Sequence, residues 1–464
     1  MPGTKQGKRL QEIEAYFQKY PDVPREIIVK ADLLNLGHGF TDAALEAASG
    51  AMVKSYRLFS YDLVTMAQME RREFAKVPEW FTIFQGEYGL RPVTVQTTLA
   101  TDSPYLVDMV DGRLCLRLDG HPIASVSYPR PFAYYAKSFP DGTAYRDIIA
   151  FGAFVTIFRA CQYWGVKEEC KFCDINENAR QMRESEAYTL TAPVKTVEQI
   201  AEVANEIGRE AAAGGYPIPI RFILSGGTIT TQLHGKLEDD FYLDYAEAVK
   251  WGGPRRHVTL QTNAKDLATL KRFRAVGVDS HHANMEVWDA RLFPWICPGK
   301  ARRVGREAWV RSILDAVSVF GEGVVRPNFV CGVEMAQPYG FKTVEEAVRS
   351  TTEGMEFLMS HGVTPRFNHW RREPRAFLAR EYPQPPPPLD FYIQLMRNRY
   401  EIWKKHNLPL PYSFGPHLEV RYLGAAHGTY DDYVLLMEKR DYTQQAMAAL
   451  RDEKAIVGVG LTLG

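Results

Sequence analysis

Long apolar runs are missing from this chain. No stretch approaches the roughly 18 consecutive apolar residues that a membrane-spanning helix needs. The opening MPGTKQGKRLQEIEAYF is basic and then amphipathic, with neither an apolar signal core nor a small-residue cleavage site, so the cytoplasm is the default expectation. A surplus of one charge is missing too. The 56 Lys and Arg balance 56 Asp and Glu, which leaves no electrostatic footprint for nucleic acid or an anionic membrane. Cysteine is scarce, with six in 464 residues, and without a secretion signal a disulfide framework is not expected. A chain this long buries a large core without such staples. No GxGxxG or P-loop pattern follows any strand-like run, and no internal repeat recurs. With 45% hydrophobic and 24% charged residues, wholesale disorder and fibrous architectures are excluded.

What is present is a cluster. Cys161, Cys170 and Cys173 fall within thirteen residues, while Cys115, Cys297 and Cys331 stand alone. Three thiolates can hold three irons of a [4Fe–4S] cluster and leave the fourth iron open. They can also hold zinc, which wants a fourth ligand, commonly His. No His lies between Gln162 and Ile200. Buried apolar thiols are the bland reading. It suits the three isolated cysteines better than the trio, whose loop carries Glu168, Glu169, Lys171 and Asp174.

After the trio, strand-like and helix-like runs alternate. Strands are expected at 154–158, 220–227, 257–264, 281–288, 324–334 and 364–370. Helices are expected at 196–213, 244–252, 266–277, 306–321, 343–362 and 390–406. Six such units in series imply a parallel sheet covered by helices, either doubly wound or closed toward a barrel. Reactive residues then belong at the C-terminal ends of the strands, and the cysteine loop follows the first strand. Residues 1–150 read as an α+β cap, with helix-like pieces at 40–52 and 61–77 and a hairpin signal at 110–128. Residues 383–388 are a stiff Pro-rich spacer. The tail from 408 is Pro- and Gly-punctuated, then helical, and ends in a Gly-rich strand.

The cysteine loop with Phe172 before its last Cys, together with LSGGT (224–228) at the end of the second strand, resembles the radical S-adenosylmethionine (radical SAM) superfamily. Asn284-Met285-Glu286 on the fourth strand and Arg311 on the next helix make it most similar to the branch containing biotin synthase and the thiamine tyrosine-lyase enzymes. The eight residues between Cys161 and Cys170 depart from that superfamily's usual three.

The resemblance implies an α/β fold: a partial (β/α)6 barrel of the TIM type (151–375), the N-terminal α+β cap (1–150) and a C-terminal helical extension (376–464). It implies an enzyme that cleaves SAM reductively to a 5′-deoxyadenosyl radical and abstracts hydrogen from a small organic substrate in a biosynthetic pathway. The electron donor would be a flavodoxin or ferredoxin. Carried over by position, Cys161, Cys170 and Cys173 would ligate the cluster. Gly226, Gly227 and Thr228 would receive the SAM amino group, since glycine permits close approach. Asn284 and Glu286 would contact ribose hydroxyls. Arg311 would pair with the SAM carboxylate, and the backbone near Phe172 would meet the adenine.

Blander readings stand beside these. A Gly pair after a strand is also a plain turn. Asn284 and Glu286 also read as a structural hydrogen-bond pair, and Arg311 as a solvated surface residue. Gln261, Asn263, His282, Glu334, Asn368 and His369, with Thr262, His281 and Arg371, could line a substrate cavity; each taken singly reads as capping or packing. Cys297 is either a quiet buried thiol or a hydrogen donor facing the cavity. No second Cys-rich block points to an auxiliary cluster, and no Asp-x-His-x-x-Gly segment points to cobalamin. The competing functions are a zinc-dependent barrel enzyme or zinc-stabilised binding module, and a redox carrier that only passes electrons.

Overall fold

The computed structural model describes residues 7–54, 60–68, 76–129, 131–150, 154–184, 194–213, 220–253, 256–409 and 428–438. The chain opens on two helices, Lys8–Lys19 and Arg25–Leu36. The second is buried along nearly its whole length, between a sheet on one side and the helix Leu389–Lys405 on the other. That sheet has six strands: β1 (Gly39–Phe40), β2 (Trp80–Gln85), β3 (Leu90–Gln96), β4 (Tyr105–Val110), β5 (Arg113–Leu118) and β6 (His121–Ser127). Their order is β1-β4-β5-β6-β2-β3, antiparallel except for the β1–β4 pair. The turns at Asp111-Gly112 and Asp119-Gly120 hold all four residues at positive φ. Such paired left-handed residues match the twist of a tight hairpin. The expected hairpin is therefore two consecutive hairpins.

The second region is mixed α/β. Strands β7 (Phe154–Phe158), β8 (Ile220–Gly226), β9 (Arg256–Gln261) and β10 (Ser280–His281) form a parallel sheet in chain order. Strands β11 (Asn328–Cys331) and β12 (Arg366–His369) form a parallel pair, and a parallel bridge from Glu286 to Phe329 links the two groups. Helices Val197–Ala213, Glu238–Trp251, Leu267–Val276, Arg306–Phe320 and Val344–Met359 separate the strands from β7 onward, and Leu389–Lys405 follows β12. Side chains of alternate parity define the two faces of each strand. Val155 and Ile157, Phe222 and Leu224, and Val258 and Leu260 are wholly buried, whereas the other parity includes Thr156, Ser225 and Thr259. Helix ends follow local chemistry. The Asp266 carboxylate accepts from the Thr269 N–H at 2.8 Å, Gly277 closes the same helix at φ 108°, and Thr343 with Glu346 forms a capping box.

Two expected strands are shorter than periodicity implies. Of the run 281–288 only His281 is strand, within Ser280–His281, and Glu286 further on leaves the alternation altogether at φ 67°. The run 324–334 narrows to β11, since Pro327 has no N–H to donate and Gly332 at φ 108° ends it. Of the helix expected at 61–77, the described part holds only the short turn Met66–Gln68, and residues 69–75 lie outside the described residues. The Gly-rich strand expected at the end of the chain also lies outside them.

Residues 428–438 return to the sheet. Thr429 forms an antiparallel bridge with Asn368, the His369 N–H donates to the Gly428 carbonyl at 3.1 Å, and a helix runs from Asp431 to Glu438. Asp431, fully buried, accepts from Arg399 at 2.8 Å, Arg326 at 3.0 Å and Arg366 at 3.2 Å. Its neighbour Asp432 takes the buried Lys30 ammonium at 2.5 Å. One hydrophobic core runs from Leu10 to Leu436 through both regions. Among the described residues, no helix is long and apolar enough to cross a membrane.

Candidate active site

The cysteine loop starts where β7 ends. Two strand ends are laced together there: the Gly227 N–H donates to the Phe158 carbonyl at 2.7 Å, and the Gln162 N–H donates to the Thr228 carbonyl at 2.9 Å. The lacing leaves no room for side chains. A Cβ on Gly227 would lie 2.5 Å from the Cys161 Cα, and one on Gly226 would lie 2.7 Å from the Phe158 carbonyl oxygen. The Gln162 side-chain oxygen accepts from the Thr230 and Thr231 backbone at 2.7 and 3.1 Å. Asn176 brackets Cys161, accepting from its N–H at 2.8 Å and donating to its carbonyl at 3.3 Å. The Thr228 N–H points at the Cys161 sulfur, 3.4 Å away.

The eight-residue spacing has a structural counterpart. The extra residues form the turn Trp164–Val166, with Lys167 in the left-handed region at φ 55°. This delivers Glu168 into a clasp made by the segment after β10. Arg302 and Arg303 each donate to one Glu168 carboxylate oxygen at 2.7 Å. The Gly299 N–H donates to the Glu168 carbonyl at 3.0 Å, and the Lys171 N–H to the Ile296 carbonyl at 2.8 Å. The paired guanidinium groups, Arg303 foremost, hold the Glu168 carboxyl below the usual carboxylate range.

The three thiols are half-buried and lie within electrostatic reach of one another. Burial pushes the Cys161 thiol up to about 11 and the Cys173 thiol well above its ordinary value. Cys170 is drawn down, first by a hydrogen bond from the buried Cys297 thiol and then by the Lys300 ammonium. Thiols ligate metals as thiolates, so metal binding here displaces protons. Among the described residues, no three His, Cys, Asp or Glu side chains converge on one point closely enough to hold a single ion. A zinc ion would draw its sulfurs to about 2.3 Å from one centre. Three thiolates would leave one iron of a cluster open, and the Thr228 N–H on the Cys161 sulfur is the kind of donor that tunes such a cluster.

Of the remaining expected residues, several gather near the trio. The Asn263 oxygen accepts from Tyr163 at 3.3 Å and from Thr228 at 3.4 Å, and its nitrogen donates to Glu238 at 3.2 Å. Glu286 is buried and accepts from Lys300 at 2.7 Å. The Asn284 side-chain oxygen accepts from the Asn328 N–H at 3.1 Å, so it stitches β11 into place. Phe172 packs against the core, and Gln261 ends β9 half-buried beside Ser225.

Others are not brought to the trio. Arg311 lies on the exposed side of its helix, because Trp309, Ser312, Ile313, Ala316 and Phe320 make the buried stripe. Glu334 turns to the Thr351 hydroxyl and the Gly332 N–H, both at 2.7 Å. His282 is tied to Ser280 and to the Val324 carbonyl. His369 bonds Tyr430 at 2.6 Å and stacks on Tyr392 at 4.0 Å. Asn368 sits half-buried at the bridge to Thr429. Gln162, Glu168, Asn176 and Lys300 are the residues that sequence reasoning missed. Only the crowding of Lys300, Arg302 and Arg303 behind Cys297 hinted at a basic clasp.

The N-terminal region roofs the loop. The Ser60 hydroxyl and N–H donate to the Asp174 carboxylate at 2.8 and 3.2 Å, and the Met66 N–H donates to Gln181 at 3.1 Å. The Arg371 guanidinium lies 4.9 Å from the Tyr61 ring.

No protein-family model matches the chain. In sequence it is 23% identical over 220 residues to the bacteriochlorophyllide c C-7(1)-hydroxylase of Chlorobaculum limnaeum, a match covering 46% of this chain and 50% of that one. The chain thus spans about half the length of the curated relative it matches. Similar solved structures include the Escherichia coli coproporphyrinogen III oxidase HemN, a radical SAM enzyme, at 12% identity and a TM-score of 0.33, over 60% of this chain and 59% of that one. The hydrogenase maturase HydG matches at 14% and 0.34, over 68% and 78%. A radical SAM methyltransferase from Sphaerobacter thermophilus matches at 13% and 0.32, over 72% and 76%. Radical SAM enzymes thus recur among the proteins to which this chain is similar.

Proposed function

We propose that the protein is a radical SAM enzyme, built as a partial (β/α)6 barrel (151–375) beneath the N-terminal region (1–150), with residues 376–464 as an extension. The observation that carries this reading is the seating of the cysteine loop. Cys161 is pressed against Gly227 with no room for a side chain, Thr228 offers its N–H to the Cys161 sulfur, and three thiols stand in mutual electrostatic reach. Cys161, Cys170 and Cys173 would hold a [4Fe–4S] cluster with one iron open to S-adenosylmethionine. Bound there, the cluster and SAM supply a 5′-deoxyadenosyl radical that takes hydrogen from a substrate.

The chain's own residues bind, orient and enclose. Thr228 and the glycines before it offer backbone to the amino group. Glu286 offers a carboxylate to the ribose. The Ser60–Asp174 contact ties the roof to the loop and keeps water out, which such a radical requires. Arg311 is left out of the proposed site. A flavodoxin or ferredoxin is the proposed electron donor. Gln261 and Asn263 are the proposed substrate contacts, since both stand at strand ends on the trio's side.

The test is anoxic reconstitution. About four irons per chain, absorption near 400 nm and 5′-deoxyadenosine on reduction with SAM are expected. Replacing Cys161, Cys170 or Cys173 by Ala should remove all three, whereas Cys297→Ala should keep the iron. Substrate screening should include large ring systems, because the curated relative hydroxylates a bacteriochlorophyllide. Colourless protein carrying one zinc would overturn the reading.

A further inference from the structure

Glu286 is held to an unusual degree. Its backbone sits at φ 67°, a left-handed conformation that costs a non-glycine residue energy and persists only where the surroundings impose it. The imposing contacts are all present. The Glu286 N–H donates to the Asn328 carbonyl at 2.9 Å, and the Val330 N–H donates to the Glu286 carbonyl at 2.9 Å. The side chain is 8% exposed by residue, and one carboxylate oxygen accepts from Lys300 at 2.7 Å. Among the described residues, the other oxygen has no hydrogen-bond partner.

Lys300 is equally fixed. Its ammonium donates to the Asn284 carbonyl at 2.7 Å, lies 4.7 Å from the centre of the Trp309 ring, and is buried. It belongs to the helix Pro298–Arg303, whose Gly299 packs on the Tyr163 ring and the Glu168 carbonyl of the cysteine loop. A carboxylate held by one oxygen keeps the other as an acceptor for a ligand's hydroxyls.

We propose that Lys300 is a positioning residue. It holds Glu286 by one oxygen so that the other receives a hydroxyl of a nucleoside's ribose diol. This rests on the radical SAM reading and adds to it the residue that sets ribose recognition. It also couples that recognition to the cysteine loop, since the short helix that carries Lys300 also clasps Glu168 through Arg302 and Arg303.

The test uses the anoxically reconstituted, cluster-loaded protein and two probes, adenosine and 2′,3′-dideoxyadenosine, by calorimetry. The wild type should prefer adenosine by about tenfold or more, the worth of a hydrogen bond to a charged group. In Lys300→Met the preference should collapse while the iron content stays. Lys300→Arg should retain part of it. Should Lys300→Met fold poorly, Glu286→Gln should erase the preference with the lysine left in place. A wild type that binds both probes equally overturns the inference. So does Lys300→Met binding both more weakly by the same factor, since that is what a purely structural lysine does. Formation of 5′-deoxyadenosine by the wild type separates the two failures. With it, only the role of Lys300 falls; without it and without iron, the functional reading falls.

Discussion

Gly227 lies flat against Cys161, so that a methyl group on its α-carbon would come within 2.5 Å of the Cys161 Cα and 2.6 Å of its nitrogen. The obstruction is backbone on both sides and cannot swing away. Gly227→Ala should therefore unseat the cysteine loop, and iron per chain after reconstitution should fall to a small fraction of wild type. Gly165→Ala, in the same loop with nothing within 4 Å, is the control and should load normally.

The clasp on Glu168 predicts a change in iron retention. Glu168→Ala leaves Arg302 and Arg303 without their shared partner and frees the long turn. Iron should still load, but a chelator should strip it about tenfold faster, as is common when groups behind metal ligands are removed. Equal stripping rates would mean the clasp is incidental.

Glu334 predicts a pH dependence of stability. Burial holds its carboxyl up at about 7, against about 4.3 in an unfolded chain. Between those values the folded protein keeps a proton that the unfolded chain has lost, so stability declines as pH rises through the window and levels off above it. Glu334→Gln removes that decline. Relative to wild type the variant should gain on the order of 2–3 kcal/mol between about pH 4.5 and 8 in denaturant melts, and parallel curves would contradict this.

Asp431 predicts the largest loss. Three arginines, two of them buried, converge on it, and they hold its carboxyl well below the usual range. Its contribution is thus intact across ordinary pH and is lost only in strong acid. Asp431→Asn should cost about 3–5 kcal/mol, the usual penalty for uncompensated buried charge, and lower the melting temperature sharply.

Much of the parallel region was legible because its strands and helices carry local signatures. The apolar runs around Val155, Leu224 and Leu260, the Asp266 and Thr343 caps, and Gly277 all act within a few residues. That three of the cysteines share one loop was legible for the same reason. Features set by distant contacts were not legible. Glu286 is bent out of strand geometry by contacts with β11, forty residues on, which periodicity cannot sense. Arg311 looked available because its helix is amphipathic, yet which flank faces inward was decided by Trp309 and Ile313. Glu334 and His369 carry the right chemistry at strand ends but are turned toward covering helices by Thr351 and Tyr392. Glu168 and Lys300 gain their importance from partners far along the chain.

The pairing of Thr429 with Asn368, and of Asp432 with a lysine 402 positions earlier, has a bearing on how the protein is made. While the ribosome is still adding the four hundreds, Asp431, the carboxylate that Arg326, Arg366 and Arg399 share, has not yet been made. The Lys30 pair with Asp432 and the Asn368 bridge to Thr429 wait on the same stretch, so residues made late complete contacts begun at both the first helices and β12.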